Sequence, residues 1–193
     1  MFKSAMRELT KILPPPKKPL DYDEDALHVN HGIFQFDFPE DFLEFGRTYG
    51  SGEIKCAYSW EVWSPCRRLY PFLVLDFAVV MNACKDEIED PPFAIFPERG
   101  GIFPFAFTAN GDYVCWLTEG YPDDWPIVDI KDFGEGQYEV LKMNFSQYFV
   151  KVLTQKLVLK RHKKGKTWVP EDVRFNQEVF KDMEFKLPNP QWV

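Results

Sequence analysis

The chain has 193 residues, of which 45% are hydrophobic and 17% aromatic, and its formal net charge is −7 at pH 7. A chain of this length buries a substantial core, and the usual domain size favours one domain. No apolar stretch reaches the roughly 18 residues of a membrane-spanning helix, because the run around Phe77 is interrupted by Asp76 and Asn82. This argues against an integral membrane protein. The N-terminus lacks the apolar core of a secretion signal, so we expect the protein in the cytosol.

Residues 1–31 are predicted to form an N-terminal lead-in. Four apolar residues fall on one helical stripe and predict a short amphipathic helix: Phe2, Met6, Leu9 and Leu13. Pro14-Pro15-Pro16 then enforces an extended connector. The helix could bind a partner or a membrane surface, but one short stripe only weakly indicates this, so we favour docking onto the rest of the chain. The acidic residues 21–25 are interpreted as a solvated patch.

Residues 32–165 are predicted to form the main domain. A helix beginning at Pro39 places Phe42, Phe45 and Tyr49 on one side and ends at Gly50. From Ile54 to Val62 apolar and polar residues alternate, which predicts one strand with a buried face. Leu69 to Ile88 carries apolar residues at helical spacing and predicts a long helix packed on a sheet.

The centre of the chain predicts a hairpin followed by a corner. Phe103–Thr108 and Tyr113–Thr118 are strand-like, and the Asn110-Gly111 between them favours a type I′ turn. Gly100-Gly101 supplies a sharp turn before the hairpin. Gly120-Tyr121-Pro122-Asp123-Asp124-Trp125-Pro126 predicts a rigid corner that leads into a strand at Ile127–Ile130.

The last part of the domain predicts one more strand and one more helix. Tyr138–Met143 is strand-like, and Asn144 with Gln147 forms a capping-box start to an amphipathic helix. Residues 166–193 are expected to be a C-terminal extension that packs on the domain. The elements together predict a single α+β domain, with a mixed, mostly antiparallel sheet flanked by helices.

Residue types that carry catalysis or metal binding lack the spacing that such chemistry needs. The cysteines form no Cys-x-x-Cys pair and are interpreted as small buried residues: Cys56, Cys66, Cys84 and Cys115. His28 and His31 have no third ligand at suitable spacing, so we interpret them as exposed loop residues. No phosphate-binding loop or nucleophile elbow occurs. We therefore expect no metal, no cofactor and no enzymatic activity, although a pair of catalytic carboxylates cannot be recognised from sequence alone.

The charges are unevenly distributed. Residues 160–166 hold five of the 23 basic residues and no acid. The rest of the chain has 18 basic residues against 30 acidic ones, a balance of −12. Such a surface repels nucleic acid and attracts basic proteins. The basic run is interpreted as an exposed loop, with contact to nucleic acid as the alternative.

Several motifs together resemble the SUKH superfamily. They are Phe96-Pro97-Glu98-Arg99-Gly100-Gly101, Asn110-Gly111-Asp112, Trp116-Leu117-Thr118-Glu119-Gly120 and Pro122-Asp123-Asp124-Trp125-Pro126-Ile127-Val128. The resemblance runs from about Phe34 to about Lys160, and departs from the family where Pro104-Phe105-Ala106 replaces Pro-Trp-Gly. Eight of these residues suit turns and core packing and are expected to be structural: Pro97, Gly100, Gly101, Asn110, Gly111, Asp112, Trp116 and Pro126.

The superfamily includes bacterial immunity proteins and the fungal Smi/Knr regulators of cell-wall synthesis. The resemblance therefore implies a protein that binds and occludes a toxin domain, for which the acidic surface favours a basic nuclease or deaminase. The alternative is a regulatory scaffold in cell-wall synthesis or signalling. A homodimer is a further expectation.

The corner is the hypothetical contact surface for this partner. It combines acidic and aromatic residues without a basic one: Glu119, Tyr121, Asp123, Asp124 and Trp125. The alternative is that Trp125 is a buried wedge that holds the corner in shape.

Overall fold

A computed structural model describes residues 2–20, 22–68, 70–86, 92–108, 110–133, 135–157, 159, 167–177 and 179. Within these residues the chain forms five α-helices, seven β-strands and two short 3₁₀ turns. The helices are α1 (Phe2–Ile12), α2 (Glu24–Phe34), α3 (Glu40–Tyr49), α4 (Tyr70–Asp86) and α5 (Phe145–Leu153). The strands are β1 (Gly52–Lys55), β2 (Ser59–Val62), β3 (Ile102–Phe107), β4 (Tyr113–Leu117), β5 (Ile127–Asp132), β6 (Gln137–Leu141) and β7 (Arg174–Asn176). The 3₁₀ turns are Pro122–Asp124 and Pro170–Asp172.

The seven strands form one sheet in the order β6-β5-β4-β3-β2-β1-β7. Every pairing between these strands is antiparallel. Among the described residues, parallel pairing is limited to two isolated bridges, Leu20 with Gly50 and Ile95 with Ile102. The predicted α+β domain is confirmed.

The sheet separates two apolar clusters. On β4, Val114 and Trp116 belong to the larger cluster, whereas Cys115 between them belongs to the smaller one. Successive residues of a strand point to opposite faces, so the clusters lie on opposite sides of the sheet at this strand. Helices α1, α3 and α5 contribute to the larger cluster. The second half of α4 contributes Phe77 and Met81 to the smaller one.

The N-terminal helix is part of the larger cluster. Its residues Met6 and Leu9, with Leu13 just after it, are buried. The helix packs on α5 and α3, and the hydroxyl of Tyr49 donates a hydrogen bond of 2.5 Å to the carbonyl of Leu13. Met6, Leu9 and Leu13 of the predicted stripe are therefore buried against the rest of this chain.

The segment from Ile54 to Val62 is a hairpin, so the prediction of a single strand there was wrong. Strands β1 and β2 are antiparallel, with Ile54 directly opposite Trp60. The turn at residues 56–58 is closed by a 2.8 Å bond from the amide of Cys56 to the carbonyl of Tyr58. A three-residue turn keeps the even-numbered positions on one face. Alternation alone could therefore not distinguish one strand from this hairpin.

The region around His28 and His31 is also more ordered than predicted. Both histidines lie exposed on helix α2, not in a loop. The carboxylate of Asp23 caps this helix by accepting bonds from the amides of Asp25 and Ala26. The buried amide of Asn30 donates to the carbonyls of Pro65 and Arg67. The weak apolar pattern of α2 gave little signal for a helix.

The central hairpin has a three-residue loop, so the predicted two-residue type I′ turn was wrong. The amide of Gly111 donates to the carbonyl of Thr108, and the amide of Thr108 donates to the carbonyl of Asp112, both at 2.9 Å. Gly111 has a positive φ of 84°, which suits the left-handed last position of such a loop. The hydroxyl of Thr108 also donates to the buried carboxylate of Asp112. This Thr–Asp pair favours the longer loop.

The C-terminal part of the described chain packs on the domain. Strand β7 pairs with β1 at one edge of the sheet. The indole of Trp168, which is buried, donates to the carbonyl of Leu153 at the end of α5. The basic run at 160–166 and residues 180–193 lie outside the described residues.

We predict that Gly101→Ala destabilises the fold by about 1–3 kcal/mol, the usual cost of overpacking. A Cβ atom at Gly101 meets backbone atoms of Ile95 and Phe96 at 2.7 Å. The control is Gly32→Ala in α2, where a Cβ meets nothing within 4 Å. It should gain about 0.5–1 kcal/mol from the better helix former. Urea unfolding measures both, and equal stabilities for the two variants would contradict this packing.

We also predict that Glu61→Gln stabilises the protein at neutral pH. Glu61 lies directly opposite Glu53 across β1 and β2, and Lys55 lies 3.6 Å from Glu53. Burial raises the pKa of Glu61, and the negative charge of Glu53 raises this pKa further. Ionisation of Glu61 therefore lowers stability as pH rises from its unfolded-state pKa through the raised folded-state pKa.

The expected gain from Glu61→Gln is on the order of 0.5 kcal/mol at pH 7, typical of a relieved cross-strand repulsion. The gain should vanish below about pH 3, where the carboxyl group of Glu61 is protonated in both states. Thermal unfolding across this range, with the exposed Glu119→Gln as control, measures the effect. A gain that does not change with pH would be inconsistent with the charge repulsion.

Candidate functional site

The corner between β4 and β5, residues 119–126, is closed by hydrogen bonds across its base and within its turn. The amide of Leu117 donates to the carbonyl of Pro126, and the amide of Trp125 donates to the carbonyl of Pro122. Thr118 donates from its amide and its hydroxyl to the carbonyl of Gly101. Gly120 has a positive φ of 82°, which few other residues adopt readily. The corner is therefore held in one shape by its backbone.

Trp125 supports the corner from below. Its side chain is only 4% exposed, and its indole donates a 3.3 Å bond to the carbonyl of Gly120. Its ring packs edge-on against Phe36, with centroids 5.2 Å apart, and lies near Trp116. The structure thus places Trp125 as the buried wedge that the sequence analysis kept as an alternative.

The other four predicted contact residues reach the surface together. Tyr121 is 80% exposed at the tip of the corner. Glu119, Asp123 and Asp124 are exposed as well. The corner therefore presents one aromatic ring and three carboxylates to solvent.

Asp123 also has a structural role. Its carboxylate accepts a 2.7 Å hydrogen bond from the amide of Glu40, the first residue of α3. Pro39 at the N-cap of α3 makes no side-chain cap, so Asp123 satisfies an amide that would otherwise lack a partner in the helix. A negative charge here also complements the helix dipole.

A cleft of about 490 Å³ opens beside the corner. Residues from three regions line it: Asp41, Asp123, Asp124, Trp125, Pro126, Lys142, Met143, Asn144 and Gln147. Its most buried acidic group is Asp41, which accepts bonds of 2.7 Å from the amide and the hydroxyl of Ser146. Asp41 of α3 therefore caps α5, in addition to the capping box of Asn144 and Gln147.

The surroundings of Asp41 favour its neutral form. Burial raises the pKa of Asp41, the hydrogen bonds from Ser146 oppose this, and the negative charge of Asp123 raises the pKa further. The sequence analysis missed Asp41 because its partner Ser146 lies 105 residues away. One sequence signal could have suggested that carboxylates lie near the N-terminus of α3. Pro39 at the N-cap leaves helix amides without a local side-chain cap.

The motif residues on which the resemblance rests lie in turns and in the core. Gly100 has a positive φ of 75° and Gly101 has no room for a side chain. Asp112 bonds to Thr108 in the central loop. Trp116 is buried against Phe42 and Phe105.

The described residues contain neither a metal-binding cluster nor a membrane-spanning helix. Among the described residues, no group of three or more His, Cys, Asp or Glu side chains is placed to hold a metal ion. In the same part of the chain, no helix has the length and apolar character to cross a membrane.

The fold and the corner define the class as a single α+β domain with a seven-stranded antiparallel sheet. A family model described as SMI1-KNR4 cell-wall (SUKH_6) matches residues 31–149, more than half of the chain. The chain therefore belongs to this family, and the predicted SUKH resemblance is confirmed. Comparisons with curated proteins and with solved structures gave no match.

We predict that the two neighbouring aspartates of the corner differ in their contribution to stability. Asp123→Ala removes the cap of α3 and should cost about 1 kcal/mol. Asp124→Ala removes a side chain with no described hydrogen bond and keeps the backbone bond to Tyr121, so it should stay within about 0.5 kcal/mol of the parent. Urea unfolding compares them, and equal costs would show that the bond between Asp123 and Glu40 contributes nothing.

Proposed function

We propose that this protein is an immunity protein that binds a basic toxin domain, such as a nuclease or deaminase, in the cytosol and blocks it by occlusion. The observation that carries the proposal is the exposed acidic and aromatic corner on a member of the SUKH family. Family membership is consistent with this role and with a protein that binds rather than catalyses.

The shape of the corner favours binding. Buried Trp125 and the backbone bonds hold the turn before any partner arrives. Binding to a preorganised surface avoids the entropy loss of ordering a flexible loop. Tyr121 supplies a large exposed ring at the tip. Aromatic side chains of this kind are frequent energetic centres of protein interfaces.

The charge of the corner favours a basic partner. Asp124 and Glu119 are exposed and can pair with Arg or Lys side chains of a partner. An exposed tyrosine ring beside carboxylates can also stack on a guanidinium group. Toxins that act on nucleic acid need positive surfaces to approach phosphate. Blocking such a surface prevents the approach without any chemistry by the inhibitor.

A second candidate is a regulatory scaffold in cell-wall synthesis or signalling. The observation that favours it is the description of the matching family, which refers to the cell wall. A scaffold acts by forming stable complexes with signalling proteins. It would not protect cells against a toxin. The test below separates the two functions.

The direct test is co-expression with the C-terminal domain of a secreted multidomain protein encoded beside this gene. We expect that domain to arrest growth alone and the full chain to restore growth by forming a stable complex. Growth arrest that persists despite co-expression, or the absence of a toxin domain from neighbouring genes, would contradict the immunity role. Copurification with cell-wall regulators instead would support the scaffold.

Within the complex, we predict that Asp124→Lys weakens binding at least about tenfold, which corresponds to about 1.4 kcal/mol. The matched control is Glu171→Lys, which changes the charge equally at an exposed site in the other proline-led 3₁₀ turn. Association of the parent should slow as salt rises, because exposed charges are screened. Surface plasmon resonance measures both effects. Equal affinities for the two variants would exclude the corner as the interface.

A further inference from the structure

The cleft beside the corner carries more acidic than basic groups. Three of the residues that line it are carboxylates, Asp41, Asp123 and Asp124, and one is basic, the exposed Lys142. Within the part of the chain that the structure describes, none of these carboxylates forms an ion pair with a basic residue. The proposed function concerns the exposed corner and leaves the cleft without a role.

Asp41 brings a buried carboxylate to the wall of this cleft. The residue is only 2% exposed, and the amide and the hydroxyl of Ser146 both donate to the same oxygen, Oδ2. The backbone amide of Phe42 adds a third interaction. A carboxylate has about four acceptor sites, so one remains for a ligand that enters the cleft. A buried charge is costly unless it is paired, so a cation in the cleft would stabilise the ionised form of Asp41.

The helix N-termini beside the cleft offer no free site for an anion. The first amide of α3 donates to Asp123, and the amide of Ser146 in α5 donates to Asp41. Asn144 caps a further amide of α5. An anion would therefore find these donors occupied and carboxylates beside them. The cleft is better suited to a positively charged ligand.

The carboxylates of the cleft line one space but do not converge on one point. Among the described residues, no group of three or more His, Cys, Asp or Glu side chains is placed to hold a metal ion. A ligand that bonds to separated carboxylates needs several donors in an extended arrangement. A guanidinium group has five N–H donors in a planar fork, whereas the three donors of an ammonium group share one nitrogen.

We propose that the cleft binds the guanidinium group of an arginine side chain, supplied by the basic partner on which the proposed function rests. The volume of about 490 Å³ lies within the range of about 300–1,000 Å³ for small-molecule sites. Trp125, Pro126 and Met143 line the cleft, and apolar walls accommodate the methylene groups of arginine. Asp123 and Asp124 belong to the corner as well, so a partner that covers the corner can place one arginine in the cleft.

Titration with Nα-acetyl-arginine amide tests the site without any partner. We expect saturable shifts of the backbone amide resonances of residues 123–125 and 143–147 in NMR spectra of the full chain. For a ligand of this size the expected dissociation constant is on the order of 1 mM. The uncharged Nα-acetyl-citrulline amide has a similar shape and should cause no such shifts. Equal shifts with both ligands, or none with the arginine ligand, would overturn the proposal.

Two variants show whether the ligand is a cation held by Asp41. Asp41→Asn removes the charge but keeps an oxygen that can accept the bonds from Ser146, and it should weaken binding of the arginine ligand at least about tenfold. The matched control Asp129→Asn changes another buried carboxylate, which accepts a bond from Tyr148 outside the cleft, and should bind like the parent. Lys142→Gln removes a like charge and should strengthen binding about two- to fivefold.

Unchanged affinity in a folded Asp41→Asn variant, or weaker binding in Lys142→Gln, would contradict a guanidinium site. If Asp41→Asn does not fold, Lys142→Gln decides, because Lys142 is exposed and its replacement leaves the core intact.

The complex with the toxin domain tests whether the partner uses this site. Asp41→Asn should weaken that complex at least about tenfold, and replacing one particular arginine of the toxin by alanine should then cost little further affinity. If Asp124→Lys weakens the complex but Asp41→Asn does not, the corner remains the interface and the arginine in the cleft is refuted. If the arginine ligand binds but no toxin domain does, the site is supported and the immunity role fails.

Discussion

The packing of Trp116 connects the sheet, helix α3 and the corner. Its ring lies 4.8 Å from Phe42 of α3, 4.4 Å from Phe105 of β3 and 6.2 Å from Trp125 beneath the corner, measured between centroids. Such aromatic contacts add to the large hydrophobic gain of burying each ring. Because interiors are close-packed, a shift of any one ring displaces its neighbours. The position of α3 and the shape of the corner are therefore set by the same contact.

Two carboxylates extend this coupling from the core to the surface. Asp41 reaches from α3 to the N-terminus of α5, and Asp123 reaches from the corner to the N-terminus of α3. Each therefore fixes two elements relative to one another. The proposed interface residues Tyr121 and Asp124 thus sit on a support of buried aromatic rings and inter-element hydrogen bonds. A rigid support of this kind suits a protein that inhibits by occlusion.

The sequence predicted those parts whose signals are local. The helix after Pro39, the capping box at Asn144 and the aromatic strands of the central hairpin could be read from neighbouring residues. The β1–β2 hairpin could not, because its three-residue turn preserves the alternation of a single strand. The burial of Trp125 and the caps supplied by Asp41 and Asp123 depend on residues far apart in the chain. Long-range contacts of this kind leave no spacing to recognise, so the caps were not predicted, and the burial of Trp125 was predicted only as an alternative to its place in the contact surface.

The most direct test of the proposed interface is amide hydrogen exchange of the full chain, alone and bound to the toxin domain encoded beside its gene. The proposed interface predicts new protection over residues 119–124, where the exposed residues of the corner lie. It predicts little change in the β1–β2 hairpin at residues 52–62. A stable complex that leaves exchange at the corner unchanged, with new protection only elsewhere, would contradict it.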